Sequence, residues 1–298
     1  RPARILWEQL ALPGAVRRAR IDVLFNPGFT APVAAGVPQV TVFHDLQHKR
    51  HPEFFRRIDL PFWRLLLWAA ARRSERLIAV SEATRDDLVR YYDLCPDRID
   101  VVPHGVDERL FGLAREPEPF LLCVSTLHPH KNLDRLLAAF AELRRARPEM
   151  RLVLAGRKGF HAAEVGRRID ELDLGEAVRV TGWIERDELA ELFRKAWAFV
   201  YPSTFEGFGM PVVEAMAAGV PTACSGIRPL TGIAGDAALR FDPFDTAAMT
   251  AALLRLVSDD TERARLVRAG RERARDFSWR RAAEQTLAAL RRAVEESA

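Results

Sequence analysis

The sequence predicts an α/β protein built from two doubly wound domains. Short β-rich apolar runs alternate with amphipathic helical patterns along the chain. Most of those runs are near-continuously apolar, as expected for strands buried on both faces of a parallel sheet. A polar stretch bearing glycines and prolines divides the series in two. The 298 residues, 48% hydrophobic and 29% charged, suffice for about two domains, each with its own core.

The expected strands of the first half are 21–25 (IDVLF), 39–45 (QVTVFHD), 76–81 (RLIAVS) and 99–103 (IDVVP). Four strands are fewer than a complete doubly wound domain carries, so the opening βα unit is expected to be absent from this sequence, which begins RPARILWEQL without methionine. The stretch from Gly105 to Pro119 has alternating charge and no apolar period, and reads as an interdomain linker. Domains are therefore expected over 1–112 and 117–275. The second half continues with strands 119–125 (PFLLCVS), 151–156 (RLVLAG), 177–182 (AVRVTG) and 198–203 (AFVYPS). Helical patterns such as 133–146 and 187–197 lie between them. A final helix over 276–298 starts with Ser278 as N-cap and sets Ala282, Leu287 and Leu290 on an apolar stripe.

Composition limits the function classes. Net charge is +4 and basic residues are dispersed, which describes a solvated surface and argues against a nucleic-acid partner. The three cysteines, Cys95, Cys123 and Cys224, are scattered and make neither a disulfide framework nor a CxxC metal site; Cys123 lies in an apolar run and reads as a core thiol. A cytoplasmic setting is expected. No apolar run approaches the ~18 residues of a membrane span. Phe54 to Arg73 mixes aromatics with arginines. It reads as a helix with Trp63, Leu66, Leu67 and Ala70 buried, and a contact with the inner face of a membrane is the rival reading.

The richest stretch is YPSTFEGFGMPVVEAMAAG, residues 201–219. Its strand ends near Pro202, a loop follows, and Pro211 suits the first position of a helix that Gly219 ends. Glu214 is then expected in the first turn, near the positive end of the helix dipole. Gly207 and Gly209 let main chain approach a ligand closely, where exposed N–H groups hold phosphate. Carboxylates at Glu206 and Glu214 accept hydrogen bonds from hydroxyls. Phosphate-friendly main chain beside hydroxyl-binding carboxylates suits a nucleotide sugar. A dehydrogenase would need GxGxxG, but Gly207-Phe208-Gly209 is followed by Val212 where the third glycine belongs; no GxxxxGK[ST] loop is present either.

EGFGMPVVEAMAAGVP resembles the EGFGLPxxEAMAxGxP signature of family 4 glycosyltransferases. VFHDLQHKRHPEFF, LIAVSEATRDDL, VVPHGVD, VSTLHPHKNLDRLLAAF, LVLAGRKG and VRVTGWIERDEL are similar to further stretches of that family, in the same order. The resemblance implies the GT-B fold, two Rossmann-like domains facing across a cleft, with retaining, metal-independent transfer from a nucleotide sugar and no cofactor. It implies that the 1–112 domain serves the acceptor, that the 117–275 domain binds the donor, and that the last helix packs back toward the first domain. At matching positions, Glu206 would contact the donor sugar near the reacting centre, Glu214 the ribose, and the main chain of Gly207, Phe208 and Gly209 the sugar and diphosphate. Lys131 would bind the donor phosphate. The family's accompanying Gly-Arg is Ser125-Thr126 here, which leaves His130 or Arg157 to supply a second cation. His44 would reach the donor sugar in a catalytic or positioning role. Asp45 would orient His44 or touch acceptor, while Trp183 and Ile184 would lie near the nucleotide base. The expected activity is transfer of a hexose to a glycan or lipid-linked saccharide. The first choice of donor is GDP-mannose and the second a UDP-sugar. The rival classes are a non-catalytic sugar-nucleotide-binding module and a GT-B sugar-nucleotide epimerase.

Overall fold

The computed structural model describes residues 2–297. The chain divides into two compact units, one formed by Arg1–Gly105 with Ser278–Ala298 and the other by Val106–Phe277.

In the first unit, helices α1 (Pro2–Leu10) and α2 (Leu12–Ala19) precede strand β1 (Leu24–Asn26). There follow β2 (Gln39–Phe43), the single turn α3 (Gln47–Arg50), α4 (Leu60–Arg73), β3 (Arg76–Ala79), α5 (Glu82–Tyr92) and β4 (Ile99–Val101). The four strands pair in sequence order and in parallel. Every residue of β2 and β3 is buried, the polar Gln39, Thr41 and Arg76 included, because both faces of the sheet are covered. Ser81 caps α5 by accepting from the N–H of Thr84 (3.1 Å). On α4, Leu66, Leu67 and Ala70 are buried and Trp63 packs against the core, while Phe62, Leu65 and Trp68 stay exposed.

The second unit contains β5 (Glu118–Val124), α6 (Leu133–Ala146), β6 (Arg151–Ala155), α7 (Ala162–Glu171), β7 (Val178–Gly182), α8 (Arg186–Lys195), β8 (Ala196–Tyr201) and α9 (Met210–Ala217). It closes with β9 (Thr222–Ser225), α10 (Leu230–Ala234), β10 (Leu239–Phe241), α11 (Thr246–Ser258) and α12 (Asp260–Ala274). Its six parallel strands run β10-β9-β8-β5-β6-β7. The chain proceeds outward from β5 through β6 to β7, then returns to the other side of β5 with β8. The order therefore reverses between β5 and β8, and in such sheets the crevice beyond that reversal is where ligands bind.

The structure departs from the sequence expectations at several points. Strands β9 and β10 were not expected; their sequences, Thr-Ala-Cys-Ser and Leu-Arg-Phe, form no apolar run. Within the expected linker, Glu108–Gly112 forms a 3₁₀ turn that buries Leu110 and packs on α9. The final helix, α13 (Trp279–Glu295), rests on β2 and β3 and starts at Ser278. Its buried stripe is Ala282, Ala289 and Ala293, whereas Leu287 is exposed. Small alanines seven and then four positions apart let the helix lie close to the sheet, and Leu287 falls off that line.

Candidate active site

The segments that leave β5 and β8 at the sheet reversal are bound to each other through main-chain atoms. After β5, residues Pro129–Lys131 form one 3₁₀ turn. Asn132 follows with φ of 57°, in the left-handed region, and starts α6. Its buried amide donates to the carbonyls of Pro202 (3.1 Å) and Pro243 (2.7 Å). The carbonyl of His130 accepts from the N–H of Thr204 (2.7 Å) and from the hydroxyls of Ser203 and Thr204 (3.1 Å each). These bonds clamp the start of the Ser203–Gly209 loop onto the turn that carries Lys131.

The clamp brings Lys131 and Glu206 together. Lys131 Nζ donates to Glu206 Oε1 at 2.5 Å and to the Tyr201 hydroxyl at 3.0 Å. Their side chains are 14% and 11% exposed, so the ion pair is largely withdrawn from water. The ammonium also lies 5.2 Å from the centroid of the Tyr201 ring. Burial, and then the nearby Glu206 carboxylate, push the Tyr201 phenol well above its usual range and keep it neutral. Beneath them Cys123 is buried, and desolvation raises its thiol to about 12. It is an inert core thiol.

Above this cluster is a cavity of about 360 Å³. Lys131, Trp183 and Ile184 line it, as do Ser125, Thr126, Gly156, Arg157, Tyr201 and Pro211. Arg157 lies over the Trp183 ring with its guanidinium carbon 5.5 Å from the centroid. Two cations, one buried and paired and one exposed, thus share a cavity wall. Gly156 is required for that wall. Its φ is +142°, and a Cβ there would lie 2.2 Å from the Ser125 carbonyl oxygen.

Glycine is also demanded in the Ser203–Gly209 loop. Gly209 has φ of +113° and precedes α9, and a Cβ on it would fall 2.4 Å from Leu230 Cδ2. Phe208 is buried, edge-on to Phe277 with centroids 5.7 Å apart, so its ring anchors the loop and only its main chain is presented. Helix α9 begins at Met210 with Pro211 second. Glu214 is therefore the fifth helical residue, and the first turn holds no acid, contrary to the sequence expectation. At the other end, the N–H of Val220 donates to the Ala215 carbonyl and that of Gly219 to the Met216 carbonyl, a Schellman stop. Glu214 is half-buried. Desolvation first, and then the charge of Asp107, raise its carboxyl above the ordinary range, while Arg186 acts the other way.

His44 and Asp45 belong to the first unit, just past the end of β2. Two groups hold the His44 ring. Its Nε2 lies 3.0 Å from the Pro27 carbonyl oxygen, which can only accept, so that nitrogen carries the proton. Its Nδ1 then accepts from His104 Nε2 at 3.4 Å, with the rings stacked at a centroid distance of 5.4 Å. Burial, and then His44, lower the His104 pKa to about 4, so His104 is neutral at physiological pH. Asp45 Oδ1 accepts from the N–H of Gln47 (2.8 Å) and opens α3.

The structure thus places Lys131, Trp183 and Ile184 around one cavity, with Glu206 paired to Lys131 and Gly207, Gly209 and Glu214 on the same loop and the helix after it. The imidazole of His130 stacks on His128 at 5.9 Å, and the residue's visible contribution to the clamp is its carbonyl. Sequence reasoning did not single out His104, Tyr201, Asn132 or Asp107. Tyr201 and Asn132 had a signal, since both stand inside motif stretches that also hold expected site residues.

Comparison with known proteins agrees with this architecture. A family described as glycosyl transferases group 1 matches residues 107–273, and glycosyltransferase family 4 matches residues 1–110. O-antigen chain mannosyltransferase B of Escherichia coli is 30% identical over 265 residues, covering 85% of this chain and 70% of that protein. MMP alpha-(1->4)-mannosyltransferase of Mycolicibacterium hassiacum is 35% identical over 231 residues, 75% of this chain and 56% of its own length. The chain therefore spans between about half and seven tenths of these curated relatives. Sucrose-phosphate synthase from Thermosynechococcus elongatus superposes with a TM-score of 0.78 at 22% identity, over 98% of this chain and 80% of its own, which places both units in the GT-B fold. The chain belongs to the group 1 glycosyl transferases.

Proposed function

We propose that the protein transfers a hexose, with retention, from a nucleotide-diphosphate sugar to a hydroxyl of a glycan or lipid-linked saccharide. The second unit would bind the donor and the first would present the acceptor. The observation that carries the reading is the Lys131–Glu206 pair beside a cavity at the sheet reversal. A fixed cation next to a hydroxyl-binding carboxylate matches the two chemistries of a sugar diphosphate. Lys131 would take the phosphate bearing the developing leaving-group charge, and Arg157, on the same wall, would be the second cation. Glu206 would hold sugar hydroxyls near the reacting carbon and Glu214 the ribose. Main-chain N–H groups of Gly207, Phe208 and Gly209 would line the diphosphate, and Trp183 and Ile184 the base. His44, oriented by Pro27 and His104, would act on the donor sugar, and Asp45 would serve His44 or the acceptor. Attack from the leaving-group face requires no carboxylate nucleophile, so positioning and charge stabilisation would supply the rate.

Mannose is the favoured sugar because the two relatives at 30% and 35% identity are both named mannosyltransferases. GDP-mannose is the first donor to try and UDP-sugars the second. Calorimetry with GDP-, UDP- and dTDP-sugars tests the donor site, followed by a donor-consumption assay with glycan acceptors. Failure to bind any nucleotide sugar would refute the reading. Binding without transfer in the intact full-length protein would favour a non-catalytic module.

A further inference from the structure

The second unit has another cavity at the carboxyl ends of its strands. It holds about 530 Å³ beyond β9 and β10, and Ile227, Thr231, Arg240, Asp242, Pro243 and Phe244 line it. That volume lies within the roughly 300–1,000 Å³ of small-molecule sites. Among the described residues, none lines both this cavity and the one at Lys131. Phe244 is 63% exposed, yet its ring is braced. The Arg135 guanidinium carbon sits 5.5 Å over the ring centroid, and Arg135 in turn donates to the Asn132 side-chain oxygen at 3.0 Å. Asn132 is buried and donates to the Pro243 carbonyl at 2.7 Å, while the Phe244 N–H donates to Asp242 Oδ1 at 2.8 Å. One face of the ring is therefore covered by a cation and the other is open. Bracing of this kind reduces the entropy lost when a ligand covers the open face.

Charge decides the class of that ligand. Among the described residues that line the cavity, Arg240 is the one cation and Asp242 the one acid. Asp236 lies 3.4 Å from Arg240, and Arg135 is the cation on Phe244. These four groups balance, so no surplus charge is left for a phosphate or a metal ion. A purely apolar ligand would cover Arg240, Asp242 and Thr231 without giving them partners. A neutral sugar meets both demands. The C–H face of a pyranose ring covers the open phenyl face, and its hydroxyls donate to the carboxylate and accept from the guanidinium.

We propose that the cavity beyond β9 and β10 is a second binding site, for a neutral saccharide, with Phe244 as its stacking platform and Asp242 and Arg240 as its hydroxyl-binding groups. This goes beyond the transferase reading and does not rest on it, since the site is separate from the Lys131 cavity.

The test is an amide-resolved NMR titration of the 298-residue chain with mannotriose and with maltotriose. The expected result, with at least one of them, is saturable shifts at Gly226, Thr231 and Phe244, with a dissociation constant on the order of 1 mM, as ordinary ligand efficiency gives for one sugar ring. Phe244→Ser should weaken binding roughly tenfold, the worth of covering about half a phenyl ring. The melting curve should stay unchanged in that variant, because the ring is largely in solvent. Asp242→Asn should weaken binding about fivefold, because a neutral acceptor replaces a charged one while still accepting from the Phe244 N–H. The proposal is overturned if neither saccharide moves these amides at concentrations well above that constant, or if both variants bind as tightly as the unaltered chain. It is also overturned if inorganic phosphate moves the same amides and the saccharides do not. Shifts confined to Ser125, Thr126 and Arg157 would overturn it too, since the saccharide would then occupy the Lys131 cavity alone.

Discussion

Replacing Lys131 should be costly in a way that a double replacement reveals. Its ammonium is 2.5 Å from the Glu206 carboxylate, and both side chains are mostly buried. At an effective dielectric of about 20 the attraction at that distance is on the order of 6 kcal/mol. Desolvating the two ions costs several kcal/mol each, so the pair contributes little net stability. Deleting one partner is another matter, because it leaves a carboxylate buried without its counter-charge. Lys131→Met should lower unfolding stability by about 3–5 kcal/mol. Glu206→Gln should cost less, because Lys131 keeps the Tyr201 hydroxyl and the ring face beneath it. The double variant should recover most of the Lys131→Met loss, with a coupling energy of at least about 2 kcal/mol. Urea denaturation of the four proteins measures this, and nucleotide-sugar calorimetry on the same samples separates fold from site. Additive losses, with a coupling under about 0.5 kcal/mol, would refute the claim that the two side chains form one buried unit.

Other outcomes follow from the same geometry. Glu214→Gln should stabilise the protein at neutral pH while weakening nucleotide binding by about 10-fold or more, the worth of a charged hydrogen bond. A carboxyl whose folded pKa is raised loses stability as pH climbs from its unfolded to its folded value, and the amide escapes that loss. Thermal melts across pH with binding titrations check both halves. Glu206→Ala should retain nucleotide binding and lower turnover in donor-consumption assays, and equal loss of both would remove the assigned division of roles. Gly156→Ala should cost at least about 2 kcal/mol through its positive φ and the collision with the Ser125 carbonyl, and should abolish the cavity; an unchanged melting temperature would contradict the packing. His48 is buried against the Tyr92 hydroxyl, and burial, then Lys49 and Arg64, lower its pKa from 6.5 to about 4. Its contribution, about 3 kcal/mol at full expression, is present above pH 6.5 and lost as pH falls toward about 4. His48→Gln should flatten that part of the acid-unfolding curve.

The sheet architecture was legible where strands are buried on both faces. The run at 151–155 is apolar after Arg151 because both its faces meet protein, and in 39–43 the two polar side chains, Gln39 and Thr41, are buried as acceptors of the Asn26 amide. Strands β9 and β10 escaped notice because Thr-Ala-Cys-Ser holds no large apolar side chain and Leu-Arg-Phe only two, so neither stands out as an apolar run, and pairing with neighbours makes them strands. Glu206, Lys131 and Glu214 could be read from their motifs, since glycine and proline around them mark a loop feeding a helix. The turn that Glu214 occupies could not. It depends on α9 starting at Met210, and the left-handed Gly209 decides that start. The support for His44 was equally hidden. Its partners, Pro27 and His104, lie 17 and 60 positions away and come near only through strand pairing. Leu287 misled because hydrophobicity alone does not say which line of a helix faces a sheet; there the closeness of approach favoured alanine.

The bonds that place Glu206 next to Lys131 end on the carbonyl oxygen of His130, not on its imidazole. Substitution at position 130 exchanges the side chain and leaves that oxygen in place. The anchoring of the loop is therefore insulated from the identity of the residue that provides it. An imidazole, an aromatic ring or a small polar group could be tried at 130 without releasing the carboxylate 76 positions downstream. The fold has separated a variable position from a fixed one within a single residue, which leaves room for the ring to change while the geometry of the ion pair persists.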